Sequence, residues 1–481
     1  MKKRFLVAFA ALAFGASAAA HAQTLVNMAH SAPNGAETVL LLTDGRALVQ
    51  GNGDSDWWTL TPDINGSYQN GTWKQVASLP AGYAPYAQAQ AVNIDGRVII
   101  EGGEYNFGSF AFTNQGAVYD PVANTWTPQP PPPAFDYIGD SPSVVLSNGK
   151  FVLGQKMTTR MAELDPYTLT WNSLASTGKS DFNAEEGWTL LPNGTFLTQN
   201  VKNSPNSEHY NRATQTWIQD GSTQALLMGP CEVSCNTGIS GGWGTYFPPG
   251  EIGPAVLRPD GTVFATGALH TGESRGHTAI YTPSAPDQPG TWVKGPDFQS
   301  GDYCDDSFAA LLTNGNVLVS SVFGRLYEFN GTTMTVTANG GGSLLVLPTG
   351  EVMVDGRQLY RSTGTYQQFW APMLFPLPVI AVKRGSTYSA YGSNFNGMSE
   401  AHGFGDEFQT ATNYPLVRLT NMASGHVFYA RTHDHSSMGV RHLATLASTH
   451  FDVPANAETG TTKMEVVANG IPSNPITIMV F

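Results

Sequence analysis

Carboxylates recur beside aromatic residues in a set of short loops along this chain. The loops read Asp54-Ser55-Asp56-Trp57-Trp58, Glu101-Gly102-Gly103-Glu104-Tyr105-Asn106, Tyr137-Ile138-Gly139-Asp140, Asn183-Ala184-Glu185-Glu186-Gly187-Trp188, Glu251, and Asp302-Tyr303-Cys304-Asp305-Asp306. Carboxylates hydrogen-bond hydroxyls while aromatic faces stack on C–H patches, the combination a sugar site uses. The same side chains would serve a calcium site or a glycosidase-like pair of acids. Taken singly, each acid is as well explained as the cap of a neighbouring turn and each aromatic as packing between sheets. Taken as a ring, they predict a ligand face built from Asp54, Asp56, Glu101, Glu104, Tyr105, Asp140, Glu185, Glu186, Trp188, Glu251, Asp305 and Asp306. Glu185, Glu186 and Trp188 stand out because two carboxylates and an indole directly precede a strand.

Histidine concentrates elsewhere. The stretch Arg431 to His442 holds three of the chain's eleven histidines, His433, His435 and His442. A His-x-His pair on a strand sends both rings to one face, which suits chelation by His433 and His435, with a third ligand drawn from His442, His426, His270 or His277. The other reading is a tight hairpin whose imidazoles bond backbone carbonyls. No His-Glu-x-x-His, Walker loop or credible dinucleotide fingerprint is present.

These residues must be positioned by a chain that is exported and almost entirely β. Lys2, Lys3 and Arg4 precede an apolar, Ala-rich run ending in Ala20-His21-Ala22, the three-part pattern of a signal peptide, with cleavage expected after Ala22. The run is too short and too poor in Leu and Ile for an anchor, and no later segment is apolar enough to span a bilayer. Localisation is therefore expected to be secreted or periplasmic. Losing Lys2, Lys3 and Arg4 takes the net charge from −13 to −16, a surface that repels nucleic acid. In an oxidising compartment two of the three cysteines are expected to pair. Cys231 with Cys235 is the local disulfide, and pairing with Cys304 is the other possibility.

With 52 Gly, 31 Pro and only 13% charged residues, the composition favours turns over helices. One unit repeats: an apolar strand, a glycine turn, a second apolar strand, then an aromatic or Tyr-Asp-Pro segment leading to a Trp. The turns are Asp44-Gly45, Asp95-Gly96, Asn148-Gly149, Asn193-Gly194, Asp260-Gly261, Asn314-Gly315 and Thr349-Gly350. Asp-Gly and Asn-Gly accept the positive φ of a hairpin turn. The later parts carry Trp73, Trp126, Trp171, Trp217, Trp292 and Trp370. Small sheets that recur in this way bury their faces by radial packing, so residues 23–370 are predicted to form a seven-bladed β-propeller, closed by an N-terminal strand. After Pro372, Pro376 and Pro378 the pattern changes, and 371–481 reads as an immunoglobulin-like sandwich.

At these residues the units resemble kelch repeats, and the arrangement is similar to the galactose oxidase/kelch superfamily. The resemblance covers essentially the whole mature chain and implies that 371–481 is an early-set domain. It also implies that the Thr432-His433 hairpin enters the bottom of the propeller, with His433 where the family has a copper ligand. The family's Tyr-His pair lies before a Leu-Pro-x-Gly turn. Here that turn is Leu347-Pro348-Thr349-Gly350, and the matching places read Gly340 and Gly341. No cysteine lies in the first two units to supply the cross-link, so the copper-radical centre is not expected to survive. The leading expectation is a protein that binds a glycan or similar polar small molecule on its acidic face, with copper or calcium as the possible metals. The rivals are a metal-dependent oxidoreductase using His433 or His435, and a cell-envelope scaffold.

Overall fold

The computed structural model describes residues 24–51, 53–229, 239–241, 244–246 and 250–481. The segment read as a signal peptide and the expected Cys231–Cys235 disulfide lie outside these residues. Cys304 is a free, fully buried thiol whose pKa burial drives well upward. Among the described residues no helix is long and apolar enough to cross a membrane.

The chain is all-β, built of many small antiparallel sheets. The first sheet runs Thr38–Leu41, Ala47–Gln50, Trp57–Thr61, Thr72–Gln75 from its inner to its outer edge, and the pattern recurs along the chain. Its inner strands are Thr38–Leu41, Ala89–Val92, Ser143–Val145, Thr189–Leu190, Ala255–Leu257, Ala309–Leu311 and Leu344–Val346. Each neighbours the next in that order, and the last neighbours the first, so the strands enclose a central channel. All are buried, which matches runs such as Thr-Val-Leu-Leu that are not amphipathic. Outer strands are half-exposed and carry Trp73, Trp126, Trp171, Trp217 and Trp292, directly opposite Leu60, Tyr119, Leu164, Tyr210 and Tyr281 in turn. Trp126 donates its indole N–H to the carbonyl of Ala77 in the preceding connection, tying one sheet to the next.

Trp370 is not an outer-strand residue. It ends a short 3₁₀ turn, Gln368–Trp370, and packs over Gly315. The last sheet takes its outer strand from the N-terminus, with Thr24–Asn27 pairing Gln358–Arg361.

The turns differ in one respect from a simple Asx-Gly hairpin. The seven turn glycines have φ between +80° and +93°, but the Asp or Asn before six of them does not share the positive φ. Its carboxylate or amide oxygen instead accepts the backbone N–H two residues on, as Asp44 does from Arg46 (3.1 Å) and Asp260 from Thr262 (3.0 Å). Gly supplies the left-handed corner and Asx the cap, a type I turn closed by a bulge.

Residues 373–480 contribute a nine-stranded sheet path with its own core around Leu374, Val417, Phe451 and Val466. One part leaves that sheet: His402–Gly403 pairs with the inner strand Ala309–Leu311 as a fifth strand.

Candidate functional site

The start of an inner strand is where the connection from the previous sheet enters the ring, so residues just before these strands converge on the channel mouth. Glu37 immediately precedes Thr38, Tyr86 lies three residues before Ala89, Asp140 three before Ser143, Glu185 four before Thr189, Glu251 four before Ala255, and Asp306 three before Ala309. All six line one cavity of about 380 Å³, with Glu104, Tyr105, Phe110, Phe308, Phe404, Glu407 and Phe408. A small sheet of Pro85–Tyr86, Tyr105–Asn106 and Ser109–Phe110 holds three of the aromatics. The rings form a continuous belt: Tyr86 lies 6.0 Å from Tyr105 and 5.9 Å from Phe408, and Phe404 lies 5.0 Å from Phe408 and 4.7 Å from Phe308.

The hairpin that enters the ring is the one between strands Thr387–Ser393 and Leu416–Asn421, not Arg431 to His442. Its Glu400 accepts the backbone N–H of Leu190 (3.0 Å), the Gln409 carbonyl accepts from Gln90 (3.0 Å), Glu407 lines the cavity, and Asp406 reaches Lys156 beside it. The Arg431–His442 stretch instead crosses the turns at the opposite end of the inner strands, where Thr432 N–H meets Thr43, Arg431 meets Asp95, and Met438 N–H meets Ser147. This corrects the position expected for His433 by resemblance. The physical cause is that Arg431, Thr432 and His433 are held in a sheet against Leu446–Asp452.

One cation faces the acids. Lys156 Nζ lies 2.5 Å from Asp140, 2.5 Å from Glu185 and 3.3 Å from Asp406, and its side chain is 1% exposed. Burial alone would lower its pKa, but Asp140 and Glu185 outweigh burial and hold the ammonium charged. Three of the acids are thereby matched, and the others are in excess. Burial pushes Glu251 up, and the nearby Asp306 adds to it, so these crowded carboxyls resist ionising together. Burial, then Glu185, raises Asp306, although its side chain is open to the cavity. Glu407 is 4% exposed, has neither an ion pair nor a side-chain donor among the described residues, and is raised well above the carboxylate range by burial and then by Asp306. The oxygen Oδ1 of Asp140 is buried without a partner. Protonated carboxyls and phenols that donate thus sit beside carboxylates that accept.

Of the residues read from sequence as a ligand face, Glu104, Tyr105, Asp140, Glu185, Glu251 and Asp306 line the cavity, and the rest do not. Asp54 caps Asp56 N–H (3.0 Å) and bonds Asn34, while Asp56 accepts from Ser78. Glu101 is fully buried against Gly116, with neither oxygen bonded, and burial keeps it protonated. Glu186 turns away from Glu185 to Lys179 (2.9 Å) and the Trp188 indole (3.1 Å), and Trp188 packs on Phe196. Asp305 lies outside the cavity lining. The contributors that sequence reading missed are Glu37, Tyr86, Lys156, Asp406, Glu407 and the phenylalanines. The offset of one to four residues before each inner strand would have found Glu37 and Tyr86. The Phe404-Gly405-Asp406-Glu407-Phe408 segment repeats nothing.

His433 and His435 do not act as a pair. The strand ends at His433, and Asp434 turns with φ +51°, so the i, i+2 alternation is lost. His433 bonds Asp434 and Asp452, whereas His435 is 4% exposed, stacks on Tyr414 and bonds Thr449.

No protein-family model matches the chain, and no curated protein matches it. Among solved structures it is similar to a fungal alcohol oxidase of the AA5 family in complex with copper, at 14% identity and a TM-score of 0.50, over 95% of this chain and 98% of that one. The extracellular domain of a one component system from B. thetaiotaomicron aligns at 12% identity and a TM-score of 0.46, over 96% of this chain and 58% of that one. A streptogramin B lyase aligns at 11% identity and a TM-score of 0.46, over 71% of this chain and 98% of that one. At such identity the first likeness shows the fold, a galactose-oxidase-like β-propeller. The donors do not fit copper of that kind: among the described residues the cavity lining has no imidazole or thiol, and Gly340 and Gly341 offer no side chain.

Proposed function

We propose that this is an exported seven-bladed propeller, closed by an immunoglobulin-like early-set domain, whose channel mouth binds a carbohydrate or similarly hydroxyl-rich ligand. The observation that carries the reading is Glu407, a buried carboxylate with no cation and no side-chain donor, on the wall of a cavity that also presents an aromatic belt. Like charges confined this closely cost stability, and they are retained where a ligand or a reaction uses them. The cavity is within the range of ordinary small-ligand sites. Its carboxyls and phenols bond hydroxyls in both directions, and Tyr86, Phe308 and Phe408 offer ring faces to C–H groups.

Oxygen donors also suit a hard cation such as Ca²⁺. Asp140, Glu185 and Asp406 cluster closely enough for one, but the Lys156 ammonium already sits between them. Ligand binding is therefore expected to survive chelators.

The test is a glycan array probed with the mature protein with and without EDTA, followed by titration of the best saccharide against Glu407→Gln and Tyr86→Ala. Saturable, EDTA-resistant binding weakened in both variants is the expected result. An array without saturable binding, or equal affinity in wild type and variants, overturns the proposal.

A further inference from the structure

Outside the channel, one cluster of ligating side chains is arranged in a way that hydrogen bonding alone does not require. His433 and His450 are direct cross-strand partners, with ring centroids 5.5 Å apart. Asp434 follows His433 in a left-handed conformation that brings its Oδ2 to 2.7 Å from His433 Nδ1 and 3.5 Å from His450 Nδ1. One ligand atom from each of the three residues lies within 4.8 Å of the others. A tetrahedral ion with bonds of ~2.0–2.1 Å needs donors roughly 3.3 Å apart, so small rotations suffice to enclose one.

The surroundings support the same assignment. Asp452 Oδ1 stands 3.3 Å from His433 Nε2. When an ion displaces the proton that His433 Nδ1 shares with Asp434, a carboxylate there keeps the proton on Nε2 and orients the ring, the outer-sphere arrangement typical of metal-bound histidine. Tyr167, from a turn of the propeller, lies close enough to Asp434 to help hold its carboxylate below the usual range. His450 is 48% exposed and gives the site access to solvent.

We propose that His433 Nδ1, His450 Nδ1 and Asp434 Oδ2 form a binding site for a divalent ion of the zinc class, with Asp452 and Tyr167 as positioning residues and a fourth coordination place open to solvent. Two imidazoles and one carboxylate select Zn²⁺ over Ca²⁺, which prefers oxygen throughout. The site is independent of the channel and differs from a His433–His435 pair in using the facing strand.

Tag-free mature protein, stripped with chelator and dialysed against Zn²⁺ or Ca²⁺, is analysed for bound metal, and its Zn²⁺ affinity is measured against a chromophoric chelator. About one Zn²⁺ per chain, no Ca²⁺ at this site, and a Zn²⁺-dependent rise in Tm are expected. His450→Ala and Asp434→Asn should each weaken Zn²⁺ at least a hundredfold, and Asp452→Asn by ten- to a hundredfold at unchanged stoichiometry. His450 is exposed, so His450→Ala should keep the wild-type circular dichroism; if it does not, His450→Gln replaces it. Absence of stoichiometric Zn²⁺ in the wild type, or wild-type affinity in the folded His450 variant, overturns the proposal.

Discussion

Glu185 and Glu186 are adjacent in sequence yet serve two different buried lysines, and the two settings are built on opposite lines. Glu186 joins Lys179 and Glu208 in a closed group whose side chains are 0% exposed. Lys179 also lies over the Trp217 ring at 4.1 Å, and Glu208 accepts from Ser180 and Gln219, so partners enclose this group except at Glu186 Oε2, which is buried away from any cavity lining. Glu185 joins Lys156 at the edge of a cavity where further carboxylates have no counter-cation. Both settings bury charge at similar depth. Only the second leaves polar capacity unspent next to open space, and that, more than burial or a shifted pKa, marks a site for a ligand.

Removing Lys179 should do the most damage. Lys179→Met strands two carboxylates in a closed core and is expected to cost about 3–5 kcal/mol by denaturant titration, with ligand binding unchanged in whatever stays folded. Next comes Glu400, whose pKa burial lifts to about 7. A raised carboxyl contributes stability fully below its unfolded pKa, and that contribution is lost as pH rises through about 7. Wild type should thus lose stability relative to Glu400→Gln between pH 4.5 and 8, by on the order of 3 kcal/mol, measurable as a pH series of unfolding midpoints.

Lys156→Met should cost less than Lys179→Met, about 2 kcal/mol at pH 7.5, and the deficit should shrink towards pH 5 because acids bordering the cavity can take up protons. Equal, pH-independent losses for the two lysines would break the comparison. Glu407→Gln should raise stability by about 1 kcal/mol at pH 8 and not at pH 5, since its raised pKa makes the ionised form costly. Asp56→Ala, at the periphery, should change stability by about 1 kcal/mol or less and leave binding unaltered.

Much of the fold was legible because its signals are local and repeated. The Asx-Gly turns announce six of the seven pairs of inner strands, and the Trp opposite Tyr119, Tyr210 or Tyr281 marks the outer edge. Trp370 misled because an indole beyond the last repeat looks like another outer-strand residue, whereas the outer strand of that sheet comes from Thr24–Asn27, over three hundred residues away. The channel mouth was half legible. Asp140, Glu185, Glu251 and Asp306 sit at a fixed offset before the inner strands, so a repeat-based reading reaches them. Glu101, Glu186 and Trp188 share their composition but point into cores, and alternation along one or two residues decides that. Asp406 and Glu407 were invisible because their role depends on a long-range insertion through the ring. His450 was missed for the same reason, since cross-strand pairing, not sequence spacing, places it opposite His433.

The most direct measurement is a set of binding isotherms for one hydroxyl-rich ligand from the array against wild type, Glu407→Gln and Asp56→Ala. If the channel mouth is the binding site, Glu407→Gln weakens binding at least tenfold while Asp56→Ala matches wild type. Equal affinity in all three, or a loss confined to Asp56→Ala, would contradict the account and move the site to the propeller's outer rim.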